Sequence, residues 1–293
     1  MAWLELKLSL EGLDAERVEE LLISAGALSV TLEDAGDEPI FEPSAEPSLW
    51  SHTRLSALFA ADTDGDALRS VLLAGLGLAT LPPHRLEPLE DRDWTREWLK
   101  DFKPMRFGRR LWVCPSGFTP PDPAGVNLLL DPGLAFGTGT HATTALCLEW
   151  LDEMDMAGRV AIDYGCGSGI LAIAAARLGA ERVWAVDQDP QALTATRANA
   201  VRNGVLDALR ISSAAELPAL RTNLLLANIL AQPLMQLAGL FAQRVRAGGM
   251  AVLSGILDSQ EQDIRHAYAP WFDLTSVAQR EDWLRIIFVR NEN

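Results

Sequence analysis

Arg159-Val160-Ala161-Ile162-Asp163-Tyr164-Gly165-Cys166-Gly167-Ser168-Gly169-Ile170-Leu171-Ala172-Ile173-Ala174 reads as a strand that ends on an acid, turns through three alternate glycines and opens straight into an apolar helix. Glycine lets a backbone turn tightly and approach a ligand, and a helix start presents unpaired N–H groups to it. The spacing is Gly-x-Gly-x-Gly, with Ile170 where a dinucleotide fingerprint places its last glycine, which weakens a nicotinamide reading. Asp163, two residues before the first glycine, weakens it further, because a carboxylate repels a pyrophosphate.

An acid in that place accepts hydrogen bonds from an ammonium group, which suits the methionine portion of S-adenosylmethionine. Outward from this loop the pattern alternates short apolar strands with helices, as βαβ units and a mainly parallel sheet do. Strands are expected at 160–164, 182–186, 209–212, 223–228, 250–254, 273–277 and 283–289, with helices at 143–154, 169–179, 190–203, 233–246 and 258–269. Only 278–282 separates the last two strands, too short for a crossover helix, so the final strand must run antiparallel to its predecessor. Seven strands closed by such a hairpin resemble the class I, Rossmann-like methyltransferases.

The second expected strand delivers Asp187, placed to bind a pair of ribose hydroxyls, as in nucleotide-binding folds generally. Asp189, before Pro190, reads as a helix cap. Asn228 closes the apolar run Leu224-Leu225-Leu226-Ala227 at the sheet end where open parallel sheets bind ligands. Its amide oxygen can accept from an amine nucleophile, much as the Asn-Pro-Pro-Tyr loop does in amino-group methyltransferases; the alternative is a residue that only ends the strand.

The 293 residues suffice for two domains, and the charge is unevenly divided between them. Residues 1–91 hold 18 acids and 5 bases, net −13, whereas 92–293 hold 22 and 20, net −2. So acidic a front half repels phosphate backbones and favours a basic partner, unless its carboxylates only solvate a surface. Periodicity predicts strand, helix, strand, strand, helix, strand there, a βαββαβ order whose usual solution is the α+β ferredoxin-like plait. Residues 92–110 are expected to be a charged linker helix with Trp94 and Trp98 one turn apart. Cys114, Cys147 and Cys166 are sparse and odd in number, against a disulfide framework, and no histidine pair has metal-ligand spacing. No apolar run approaches membrane-spanning length, and the start lacks a secretory signal, so a cytoplasmic protein is expected.

The most unusual string is Leu130-Asp131-Pro132-Gly133-Leu134-Ala135-Phe136-Gly137-Thr138-Gly139-Thr140-His141-Ala142-Thr143-Thr144. It is no phosphate cradle, since no lysine follows in the Gly-Lys-Ser/Thr manner. As a lid over an adenosyl cofactor, Phe136 would cover apolar surface and Thr144 would supply a hydroxyl. The stretch 130–141 resembles the signature of the PrmA family, which methylates large-subunit ribosomal protein eleven. Asp163 to Gly169, Asn228 to Leu234, Leu253-Ser254-Gly255-Ile256-Leu257 and Glu281-Asp282-Trp283-Leu284-Arg285-Ile286 are similar to that family in the same order.

The resemblance implies an S-adenosylmethionine-dependent methyltransferase domain at 111–293, preceded by a substrate-recognition domain at 1–91. It implies cofactor-binding roles for Thr144, Gly165, Asp187 and Asn228, with Asn228 also the active-site asparagine. It further implies repeated methylation, to the trimethyl state, of the N-terminal α-amine and lysine amines of ribosomal protein eleven. Ala142 stands where the family usually has proline, and Gln188 where it has an apolar residue; neither removes a functional group. No residue is assigned as general base; His141 is a candidate by position alone, against a structural role. No metal, no membrane, no nucleic-acid partner and a monomer are expected. The competing readings are an RNA or small-amine methyltransferase on the same fold, a nicotinamide oxidoreductase, and an acidic interaction module that leaves the glycine loop without a purpose.

Overall fold

The computed structural model describes residues 3–36, 50–89, 103–115, 117–130 and 141–292. The chain divides into two compact units, Met1–Glu97 and Trp98–Asn293.

The first unit runs β1 (Trp3–Ser9), α1 (Ala15–Ser24), β2 (Ser29–Asp34), β3 (Thr53–Ala60), α2 (Gly65–Leu76) and β4 (His84–Leu89). Its sheet has the order β2-β3-β1-β4, every neighbouring pair antiparallel. Strand alternation turns Leu6 and Leu8 of β1 and Leu55, Ala57 and Phe59 of β3 to one face, where Val18 and Leu22 of α1 and Leu68 and Leu72 of α2 cover them. Each such large apolar side chain contributes about 1.5–3 kcal/mol by leaving water. Asp14 caps α1 by accepting from Arg17 N at 3.2 Å, and Asp64 caps α2 by accepting from Asp66 N at 2.9 Å.

The second unit opens with a small sheet, β5 (Met105–Phe107), β6 (Leu111–Cys114) and β7 (Val126–Leu129), followed by α3 (Ala142–Glu153), β8 (Val160–Tyr164), α4 (Ile170–Arg177), β9 (Arg182–Val186), α5 (Pro190–Arg202) and β10 (Leu209–Ser212). It continues through β11 (Thr222–Asn228), α6 (Ala231–Arg244), β12 (Val245–Leu257), α7 (Glu261–Tyr268), β13 (Phe272–Arg280) and β14 (Trp283–Arg290). The main sheet has the order β10-β9-β8-β11-β12-β14-β13. Its first five strands are parallel, and β14 runs antiparallel to both β12 and β13, as the short connection requires. Strand β11 explains its own sequence. Leu224 and Leu226 pack in the layer under α3 and α4, while Leu225 and Ala227 pack under α6 and α7, so both faces are apolar.

One expectation needs correction. The linker helix placed at 92–110 does not extend through its second half, because Met105–Phe107 is a strand paired with Leu111–Val113. Gly108, at φ +68, makes the turn between them. The buried carboxylate of Asp152, from the end of α3, accepts there from Arg109 N at 2.6 Å and faces Arg110 Nε at 3.4 Å. Phe107 is thereby sealed into the core, which period-2 alternation serves and a charged helix face does not. Trp94, Trp98 and Phe136 lie outside the described residues.

Candidate active site

Asp163 ends β8, and Gly165, Gly167 and Gly169 follow at φ +77, +54 and +82, a left-handed path that residues with a Cβ resist. The loop is tied to β9 by Gly165 N and Cys166 N, which donate to Val186 O at 2.7 and 3.0 Å. It is held from behind by α5: Thr196 Oγ1 donates to Gly167 O and Asn199 Nδ2 to Ser168 O, both at 2.9 Å. Asn203, one turn further along the same face, brackets Leu129 by accepting from its N–H at 2.7 Å and donating to its C=O at 2.8 Å. These three polar residues escaped sequence reasoning. Their signal is a stripe of buried polar side chains at three- and four-residue spacing on one helix face.

Asp187, at the end of β9, accepts from Gly167 N at 2.9 Å through one oxygen and from Asp189 N at 3.0 Å through the other. A carboxylate has about four acceptor positions, so the two left over fit a pair of ribose hydroxyls. Asp189 accepts from Gln191 N at 2.8 Å and caps α5, with Pro190 at the first helical position.

Asp163 is fully enclosed, and its Oδ2 accepts from Ala172 N at 2.9 Å in the first turn of α4. Burial pushes its carboxyl up to about 7, against the opposing effect of the Ala172 N–H and with a further rise from the nearby Asp187. Its observed partner is therefore a helix terminus.

Thr144, buried in the first turn of α3, meets Asn228 at the end of β11: Asn228 Nδ2 donates to Thr144 Oγ1 at 3.2 Å. Behind them Ser254 of β12, in register with Asn228, donates to Leu284 O at 2.8 Å and lies 3.3 Å from Thr143 O. The next residue on β11's exit, Ile229, packs against Gly165. Thr144, Gly165, Asp187 and Asn228 are thus gathered at the carboxyl ends of β8, β9 and β11.

His141 caps α3. Its Nδ1 lies 2.7 Å from Thr143 Oγ1, and its ring meets Trp283 edge-on at 4.9 Å. Burial lowers its pKa, with Glu281 opposing. Those contacts give it a structural place at the helix start. Cys114, Cys147 and Cys166 are buried free thiols. No helix among the described residues is long and apolar enough to cross a membrane.

Residues 2–291 match the family model described as ribosomal protein L11 methyltransferase (PrmA). The chain is 55% identical to the ribosomal protein L11 methyltransferase of Pseudomonas paraeruginosa (strain DSM 24068 / PA7) and 50% identical to that of Shewanella sp. (strain ANA-3), over 98% of both chains in each case. It is also similar to the crystal structure of a ribosomal protein L11 methylase from Lactobacillus delbrueckii subsp. bulgaricus, at 32% identity and a TM-score of 0.60, covering 65% of this chain and all of that one. A match along almost the entire length, joined to the glycine loop and the Asn228–Thr144 pair, decides the matter: the chain belongs to the ribosomal protein L11 methyltransferase family.

Proposed function

We propose that this chain methylates ribosomal protein L11 at its N-terminal α-amine and lysine ε-amines, carrying them to the trimethyl state with S-adenosylmethionine as donor. The observation that supports this most is the Asn228–Thr144 pair set beside the glycine loop. With Nδ2 given to Thr144, the Asn228 carbonyl oxygen is the amide atom left to accept an amine N–H. An amine held that way keeps its lone pair for the methyl group. A neutral amide also avoids stabilising the ammonium form as a carboxylate would, which favours the reactive neutral amine.

When bound, the cofactor supplies a sulfonium methyl open to direct displacement. The protein's own share is alignment and exclusion of water. Asp187 holds the ribose, the main chain from Gly165 to Gly169 lines the donor, and Thr144 orients Asn228. An α-amine, with a reference pKa of about 7.7, reaches the neutral state readily, whereas a lysine near 10.4 must be desolvated first. His141, engaged as a helix cap, takes no proton in this scheme.

The first unit serves as the substrate-recognition module. Its βαββαβ order and β2-β3-β1-β4 sheet support the reading as a ferredoxin-like plait, and the net charge of −13 over residues 1–91 suits a basic protein substrate. The enzyme works in the cytoplasm, where ribosomal proteins are made.

Incubation of the purified protein with S-adenosylmethionine and L11, read by intact mass, tests this. Stepwise methyl additions that vanish in Asn228→Ala and Asp187→Ala are expected. Absence of any gain on L11, with the cofactor still bound, would overturn the substrate assignment.

A further inference from the structure

We infer that Ile229 is the positioning residue that sets the spacing between the cofactor loop and the amine site. The inference rests on the assignment of Asn228 as the amine-binding residue. Ile229 follows Asn228 directly, and glycines face it on two sides. A Cβ on Gly165 would collide with Ile229 Cγ2, and a Cβ on Gly255 would collide with the Ile229 carbonyl oxygen and lie 2.8 Å from its carbonyl carbon. The β-methyl of Ile229 therefore rests on the main chain of the cofactor loop, and its peptide rests on the main chain of β12.

The β12 side of this clamp is firmly held. Its pairing with β14 shifts between Ser254 and Ile256, so Gly255, at φ +85, forms an irregularity in the strand. Ser254, fully buried, bonds Leu284 O on β14 and approaches Thr143 O on α3, one residue before Thr144. On the other side, Gly165 is bonded to Val186 O at 2.7 Å. Asn228 thus stands at a separation from the cofactor loop that is measured by the thickness of one isoleucine. Branching at Cβ restricts χ1 and places Cγ2 where Gly165 makes room for it.

Direct displacement is sensitive to that separation, since a misplacement of about 1 Å costs on the order of 100-fold in rate. The test is steady-state kinetics of Ile229→Val, Ile229→Leu and Ile229→Ala on L11, with S-adenosylhomocysteine binding measured by calorimetry. Valine keeps the β-methyl; leucine keeps the apolar bulk without it. We expect kcat for Ile229→Val within about threefold of wild type, and a fall of roughly 10- to 100-fold for Ile229→Leu and Ile229→Ala. KM for L11 and affinity for S-adenosylhomocysteine should stay within about threefold throughout, which also reports that the variants are folded.

An order that follows bulk, with Ile229→Leu at least as active as Ile229→Val, overturns the inference. So does a wild-type kcat in Ile229→Ala, or a loss confined to KM or cofactor affinity. Asn228→Ala, assayed alongside, separates the two levels. If it retains wild-type kcat, the amine-site assignment fails and takes this inference with it; if it is inactive while the Ile229 series follows bulk, the inference alone fails.

Discussion

Asn228 and Thr144, 84 residues apart in the chain, meet through a hydrogen bond of 3.2 Å from the asparagine amide to the threonine hydroxyl. Thr144 is fully buried, so removing its oxygen leaves the Asn228 N–H without its partner in the site. Thr144→Val, which keeps the shape, should lower kcat about 3- to 10-fold, the worth of one hydrogen bond of 0.5–1.5 kcal/mol, while Thr144→Ser stays near wild type. Equal activity in the two variants, measured on L11, would show that the hydroxyl orients nothing.

Asp187 holds the loop through Gly167 N and its own turn through Asp189 N. In Asp187→Ala both N–H groups lose a carboxylate acceptor and the proposed ribose contact is lost with it, each such bond contributing about 1.5–3 kcal/mol. Affinity for S-adenosylhomocysteine should fall by roughly 100-fold or more, and Asp187→Asn should lie between that variant and wild type. Calorimetric titration checks the order; unchanged binding in Asp187→Ala would remove Asp187 from the cofactor site.

Asp163 makes stability depend on pH. Burial holds its folded carboxyl at about 7, above the unfolded reference near 4, so between those values the folded state binds the extra proton. Stability is then lost as pH rises from about 4 to about 7 and is level above, a change on the order of a few kcal/mol. Thermal unfolding without cofactor should show Asp163→Asn gaining on wild type across that window and holding a constant lead beyond it. A difference independent of pH would contradict the shifted carboxyl.

The Asp152 carboxylate anchors the turn at Gly108 by accepting from Arg109 N and Arg110 N. The Arg110 guanidinium is half exposed, so little of the stabilisation comes from the ion pair itself. Asp152→Ala leaves two N–H groups without their acceptor and should cost about 2–4 kcal/mol, whereas Asp152→Asn, which retains an oxygen, should cost less. Urea denaturation of the full chain distinguishes these, and equal losses would point to charge as the source.

Much of the fold was legible in the order of residues because its determinants are local. Strands buried on both faces, such as β11, read as continuous apolar runs, and caps such as Asp14 and Asp189 sit within three residues of the N–H groups they accept from. The connection from β13 to β14 forces an antiparallel ending by its length alone. The glycine turn and the acid at the end of β9 were legible for the same reason: both sit at short, regular spacing from their strand ends.

What escaped the sequence has partners far along the chain. Strands β5, β6 and β7 are three or four residues long, too short to show a period, and the turn between β5 and β6 is anchored by a carboxylate from α3. Thr196, Asn199 and Asn203 look like ordinary polar helix residues until α5 lies behind the loop they hold. The sequence by itself determined the longer strands and helices and their order, because each depends on neighbours a few residues away. Only the tertiary structure decided that Asn228 faces Thr144 and that Ile229 is held between Gly165 and Gly255, since those contacts exist only once the sheet and its covering helices have packed.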